Sequence, residues 1–165
     1  MNTERFFIAE PYNKEHIRLF DEFEKEHDIK TKTSSYLKET TEKHSKEEYD
    51  HIVKKGNEIC QSLFLQDNGK IKDSCHIQGE KDIKTCTVFF APLKTTSKNR
   101  RLLGLTMDYA FNVLGMEEIF VSMSEEDKNL KENLEAKGFD NLGETNGSIT
   151  YIKGKEEINE MRRII

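Results

Sequence analysis

What this chain of 165 residues lacks narrows its class before anything it contains. It has no run of about 18 apolar residues, the length a membrane-spanning helix needs, so no membrane partner is expected. Its N-terminus lacks the charged-then-apolar pattern of a secretory leader, which makes a cytoplasmic location the expectation. Cysteine is scarce: Cys60, Cys75 and Cys86 are odd in number and have no metal-like spacing, which reads as buried thiols in a reducing compartment. His44 and His51 have no acidic or thiol cluster of ligand spacing near them, so no metal site is expected. An excess of positive charge is missing too, with 26 Lys and Arg against 31 Asp and Glu and a net charge of -5. That balance argues against a nucleic-acid partner held by phosphate neutralisation and favours a cationic partner such as an amine. There is no internal repeat and no low-complexity segment.

Charged and hydrophobic residues each make up 35% of the chain, and the hydrophobic ones gather in periodic segments, as in a folded protein. One domain over 1–165 is expected, since this length buries a single core. Arg5 to Glu10 reads as a strand ended by Pro11, and Asn13 can cap a helix over Lys14 to Glu26 with Ile17, Leu19, Phe20 and Phe23 on its apolar stripe. Residues 27–44 carry few apolar anchors and read as a mobile connection of the kind that contacts substrate. Ser45 stands at capping-box spacing from Glu48, predicting a helix to about Asn57 with Tyr49, Ile52 and Val53 as its buried side. From Ile59 the period changes to two. A strand through Leu63 and Leu65, a turn at Asp67-Asn68-Gly69, a strand from Lys70 to Gln78, a turn from Gly79 to Asp82 and a strand from Thr85 to Phe90 follow as antiparallel neighbours.

The stretch from Thr85 to Gly115 is the most informative. Pro92 ends its strand, the polar loop KTTSKNRR follows, and Leu102 to Leu114 repeats apolar residues at helical spacing until Gly115 stops it. A hydroxyl-rich cationic loop feeding a helix N-terminus suits phosphate, because unpaired backbone N–H groups and the helix dipole both face the anion. Glu118 to Met123 reads as a strand reached through a helical crossover and so parallel to Thr85–Phe90, an arrangement that opens a crevice at the carboxyl ends of the two strands. Ser124 and Asp127 open a further helix through Leu130, Leu134 and Ala136, stopped by Gly138. A closing hairpin turns around Thr145-Asn146-Gly147. A tail helix over 155–165, with Ile158, Met161 and Ile164 on one side, offers an interface, and a homodimer is compatible with it. His76 and Glu80 are the candidate catalytic bases; the plainer readings make His76 a solvent-facing strand histidine and Glu80 a hydrated turn carboxylate. Tyr36, Tyr109 and Tyr151 are read first as packing residues.

The element order and two local patterns resemble the GNAT superfamily of acyl-CoA-dependent N-acetyltransferases. The patterns are the basic loop after the fourth strand and DKNLKENLEAKGF after the fifth. The resemblance implies an α/β fold with a mixed central sheet in the order β-α-α-β-β-β-α-β-α-β-β and a short C-terminal helix. It implies acetyl-CoA as co-substrate and a primary amine, on a small molecule or a protein N-terminus, as acceptor. Counting back from Asp108-Tyr109-Ala110-Phe111 puts Lys94, Ser97 and Asn99 at the family's Arg/Gln-x-x-Gly-x-Gly/Ala positions; a second alignment, Arg101-x-x-Gly104-x-Thr106, fits better by letters but leaves a shorter helix. The coenzyme-binding set implied is Phe89, Phe90, Ala91, Lys94, Thr95, Thr96, Ser97, Lys98, Asn99, Arg100 and Asp127, with a backbone N–H near Phe90 and Ala91 polarising the thioester carbonyl. The chain departs from the family by lacking both loop glycines and by carrying Leu134 where a tyrosine commonly protonates the departing thiolate. The alternative is a non-catalytic domain of this fold that binds coenzyme A or a protein partner in a regulatory or structural role.

Overall fold

A computed structural model describes residues 3–94 and 99–155. Its strands are β1 (Arg5–Ile8), β2 (Glu58–Asp67), β3 (Lys70–Glu80), β4 (Thr85–Phe90), β5 (Glu118–Ser124), β6 (Asp140–Thr145) and β7 (Ser148–Gly154). Its helices are α1 (Lys14–His27), α2 (Lys32–Lys43), α3 (Lys46–Lys55), α4 (Arg101–Asp108) and α5 (Lys128–Ala136). The strands make one seven-stranded mixed sheet in the order β1-β2-β3-β4-β5-β7-β6. The tail expected as a helix lies outside the described residues. No described helix is long and apolar enough to cross a membrane. The chain divides into two compact units, one running through Gln78 and returning for Phe90–Lys94, the other taking Gly79–Phe89 and the remainder.

In the first unit, Asn68 at φ 52° and Gly69 at φ 73° make the primed turn that lets β2 fold back as β3. β1 adds antiparallel to β2, from Arg5↔Gln66 to Ile8↔Leu63. The Asn13 side chain accepts from the Glu15 and His16 amides and starts α1. That helix buries Leu19, Phe20 and Phe23 in a cluster with Leu37, Phe64, Ile71 and Ala91. The Phe20 ring meets Phe64 edge-on at 5.4 Å, and each such fully buried side chain contributes about 1.5–3 kcal/mol.

Two expectations fail in this unit. Residues 27–44 are not a loose connection, because Thr31 caps α2 by accepting from the Ser34 amide and Leu37 anchors the helix in the core at 1% exposure. One leucine suffices there because Thr33 buries as well, with its hydroxyl donating to Ser62 Oγ at 2.9 Å. In α3 the capping box forms, with Ser45 accepting from the Glu48 amide, but the helix buries none of its residues. Ile52 and Val53 are 45% and 40% exposed, so the apolar spacing marks an outer helix rather than a core one.

In the second unit, β3 runs on to Glu80, past the turn expected at Gly79. A Cβ at Gly79 would lie 2.4 Å from Thr85 O and 2.7 Å from Cys86 Cβ, so glycine is needed there for close strand approach. β4 and β5 pair in parallel and β5 pairs antiparallel with β7. The crossover between β4 and β5 is α4 followed by one wide turn of π-helix over Tyr109–Val113. The extra residue shifts the helical phase, which keeps Ala110 and Phe111 buried and turns Val113 outward at 67% exposure. Gly115 at φ 73° and Gly138 at φ 86° end the two helices as read from the sequence, and Asn146-Gly147 makes the closing turn.

Gly79 and Gly104 give opposite expectations. Gly104 sits inside α4 with nothing nearer to an added Cβ than Lys137 Nζ at 3.7 Å. Gly79→Ala is expected to lower stability by about 3 kcal/mol through overpacking, and Gly104→Ala to raise it by about 0.5–1 kcal/mol. Urea denaturation midpoints of the two variants check both.

Candidate functional site

In the second unit, three local facts fix where the carboxyl ends of β4 and β5 lie. The β4–β5 ladder starts at Thr85↔Glu118 and its last pair is Phe89↔Ser122. β5 continues against β7 to Ser124↔Ser148, so its carboxyl end outruns the ladder it shares with β4. Both strands then lead into helices, and the N-termini of α4 and α5 follow the carboxyl ends of neighbouring parallel strands. That is where helix dipoles and unpaired N–H groups gather in open α/β sheets.

Arg100 and Asp127 are brought to each other. Arg100 immediately precedes α4, is 3% exposed, and holds Nη1 3.7 Å from Asp127 Oδ2. The other oxygen, Asp127 Oδ1, accepts the Leu130 amide at 3.0 Å and caps α5. Asn133 joins them by accepting the Arg100 amide at 3.3 Å while its own NH₂ donates to Asn129 O. Arg100 therefore spends its charge inside the unit, tying one helix start to the other, and Asp127 is engaged on both oxygens. Removing one member of a buried pair strands the other charge and typically costs about 3–5 kcal/mol.

Lys94 and Asn99, read as loop positions, are exposed. Thr95, Thr96, Ser97 and Lys98 lie outside the described residues. Gly104 of the second alignment falls within α4, which removes it from the loop. Leu134 is fully buried in α5. Tyr151 is buried too, and burial first, then its donation to Glu135 Oε1 at 3.2 Å, raises its pKa.

Glu80 is not brought to the carboxyl ends of β4 and β5. It is exposed, and its carbonyl accepts the Lys84 amide in the hairpin that begins β4, at the strand's opposite end. Six strand residues separate the two ends by roughly 20 Å. The expected nearness of Glu80 came from its place after His76 in the sequence; strand direction carries it away.

The first unit holds the other end of β4. Phe90 and Ala91 close it, and the Ala91 amide donates to Ser74 O at 2.9 Å. That bond takes the Ala91 N–H out of the role expected for it at a thioester carbonyl. Two residues along β3, His76 is 2% exposed and not solvent-facing. Its Nδ1 lies 2.6 Å from Ser62 Oγ, its Nε2 lies 3.5 Å from Cys60 Sγ, and Tyr36 packs on its ring at 5.3 Å between centroids. Burial first, and then the charge of Lys32, pushes the His76 pKa down to about 4, so the imidazole is neutral at pH 7. Burial likewise raises the Tyr36 phenol, whose oxygen is 2.5 Å from Tyr49 Oη, and lifts the Cys60 thiol to about 11.

Sequence reading missed Thr33, Ser62 and Ser74 as a polar interior. The signal available in β3 was slight: Asp73 breaks the alternation of Ile71, Cys75 and Ile77, while Ser74 and His76 stand at the intervening positions.

Comparison of sequence finds no matching family model and no matching curated protein. Comparison of structure finds many solved acetyltransferases. A ribosomal-protein-S5-alanine acetyltransferase from Vibrio fischeri aligns over 95% of this chain and 96% of its own at 13% identity, with a TM-score of 0.67. A dodecameric spermidine N-acetyltransferase from Vibrio cholerae aligns over 94% and 96% at 13% identity, TM-score 0.64. The Campylobacter jejuni N-acetyltransferase PseH, in complex with acetyl coenzyme A, aligns over 92% and 99% at 13% identity, TM-score 0.59. Together with the strand order and the crossover, these alignments show that the chain has the GNAT N-acetyltransferase fold.

Proposed function

We propose that the chain is an acyl-CoA-dependent N-acetyltransferase that moves an acetyl group from acetyl-CoA to a primary amine of a small molecule or a protein N-terminus, with 1–165 acting as one working domain. The observation that carries this reading is the β4–β5 ladder whose last pair is Phe89↔Ser122, beside two helix starts of the same unit. The donor set suits the coenzyme's diphosphate: α4 presents its N-terminus, and Lys94 and Asn99 are exposed on either side of the hydroxyl-bearing sequence Thr95-Thr96-Ser97. In this reading Phe89, Phe90 and Ala91 flank the pantetheine arm, and Arg100 and Asp127 hold the helix starts in place. The net charge of -5 suits a cationic acceptor. The solved proteins sharing the fold are named for spermidine in one case and for an alanine of ribosomal protein S5 in another, so both acceptor classes stay within the proposal.

The chemistry is direct attack. The amine nitrogen bonds to the thioester carbon, the carbonyl electron pair moves to oxygen, and its return expels the thiolate of coenzyme A. His76 is the proposed acceptor of the amine's proton through Nε2, which has the weak Cys60 thiol as partner, while Ser62 holds Nδ1. Leu134 supplies no proton, so the thiolate leaves as the anion and is protonated by solvent. Positioning of the two reactants supplies much of the acceleration, up to about 7–11 kcal/mol in well-oriented systems. The non-catalytic reading, a coenzyme-binding or protein-binding domain, draws on Leu134 and on the engaged Ala91 amide.

Thermal melting with acetyl-CoA tests the proposal. At 100 times its dissociation constant the ligand is expected to add about 2.7 kcal/mol, a shift of about 5–10 °C for a chain of this size. Lys94→Ala is expected to weaken binding by about tenfold, the loss of one charged hydrogen bond. No shift at millimolar acetyl-CoA rejects the proposal; a shift without thiol release across an amine panel leaves the non-catalytic reading.

The low pKa of His76 has a sign that can be read in solution. Its folded value, about 4, lies below the ordinary 6.5 of an unfolded histidine. The unfolded chain therefore takes up the proton first as pH falls, and stability present above pH 6.5 is lost progressively down to about pH 4, by about 3 kcal/mol. His76→Gln is expected to flatten that part of the melting-temperature profile and to lower kcat. An unchanged acid slope in the variant assigns the loss to other groups.

A further inference from the structure

Glu117 is the point at which three parts of the second unit meet. Its amide donates to Lys84 O at 2.7 Å and its carboxylate lies 3.6 Å from Lys84 Nζ, which fixes the tip of the β3–β4 hairpin beside the foot of β5. Its carbonyl accepts the Lys155 amide at 2.8 Å, and Lys155 Nζ donates to Phe111 O at 3.3 Å, so the chain leaves β7 tied to the end of the crossover helix. Two large aliphatic side chains stand exposed around this point: Ile83, next to Lys84, at 57%, and Val113, which the π turn directs outward, at 67%. An exposed aliphatic residue by itself needs no explanation. Here two of them adjoin the place from which an apolar segment departs, because the sequence after Lys155, EEINEMRRII, carries Ile158, Met161, Ile164 and Ile165.

We infer that residues 156–165 cover Ile83 and Val113 of their own chain, with Ile158, Met161 and Ile164 as the apolar contacts, and so join the β3–β4 hairpin, the crossover helix and β7 at the foot of the second unit. Reach and tether argue for the same chain rather than a second copy. Val113 is four residues from Glu117, at most about 14 Å of chain, and the ten residues after Lys155 span about 15 Å even at helical rise. A tethered segment meets its surface at an effective concentration in the millimolar range, far above that of a second copy in dilute solution. Removal of aliphatic surface from water supplies the driving force. This surface lies at the amino end of β5, and the helix starts follow the carboxyl ends of β4 and β5, so the inference stands apart from the acyl-transfer reading.

The test compares the thermal melting of the full chain with that of V113K, I158K and their double variant. I52K serves as a control, at an aliphatic position of α3 that is 45% exposed and has no occupant assigned. V113K and I158K are each expected to melt about 4–8 °C lower, the effect of losing a buried aliphatic contact. The double variant is expected to melt within about 2 °C of the lower single one, because both changes remove the same contact. I52K is expected to stay within about 2 °C of the parent, as an exposed substitution does. A V113K or I158K chain that melts like I52K overturns the inference, and so does a double variant in which the two losses add. A parent whose melting temperature rises over an about hundredfold range of protein concentration, with the rise absent in V113K, overturns it in favour of a second copy as the occupant.

Discussion

Two parallel strands that pair as far as Phe89 and Ser122, with β5 carried on to Ser124 by a different neighbour, set the geometry on which the proposed site depends. β4 cannot follow, because Pro92 denies it a ladder donor and Ala91 already gives its amide to Ser74. β5 is paired at seven positions with β7, so that partner carries it past the end of its ladder with β4. Each strand then feeds a helix, and the two helix starts are linked by Arg100, Asp127 and Asn133 within a buried network. A buried guanidinium, Arg100, thus helps align the two helix starts of the second unit.

The first unit reaches order by a different balance. Its apolar cluster is small, built on α1, Phe64, Ile71 and a single leucine of α2. Polar side chains do the remaining joining: Thr33 to Ser62, Ser62 to His76, and Tyr36 to both the His76 ring and the Tyr49 hydroxyl. Hydrogen bonds in a low-dielectric interior are strong when satisfied and costly when not, so this network commits α2 and α3 to one arrangement. It also explains why burial acts on titration here, lowering the histidine and raising the phenol and the thiol in the same small volume.

Much of the architecture was legible from spacing and punctuation. The Asn13, Ser45 and Asp127 caps, the Asn68-Gly69 and Asn146-Gly147 turns and the stops at Gly115 and Gly138 all depend on local φ, ψ and hydrogen-bonding chemistry that a residue carries with it. Where the reading failed, the deciding contacts were distant in sequence. α2 has too few apolar residues to announce a helix and gains its place from Leu37 in the core and Thr33 on Ser62. α3 has the spacing of a buried helix and an outward position. The π turn changed which residues of the crossover face inward, and no period count anticipates an inserted residue.

The candidate site divides along the same line. By itself the sequence determined that a strand comes first and a helix last between Thr85 and Gly115, and that Asp127 opens the next helix, because propensity, proline and capping act over a few residues. Only the tertiary structure decided that Arg100 turns inward to Asp127, that Glu80 stands at the wrong end of β4, that His76 is buried and neutral, and that Ser74 lies opposite Ala91. Those outcomes follow from strand direction, register and burial, which arise when segments far apart in the chain compete for the same interior.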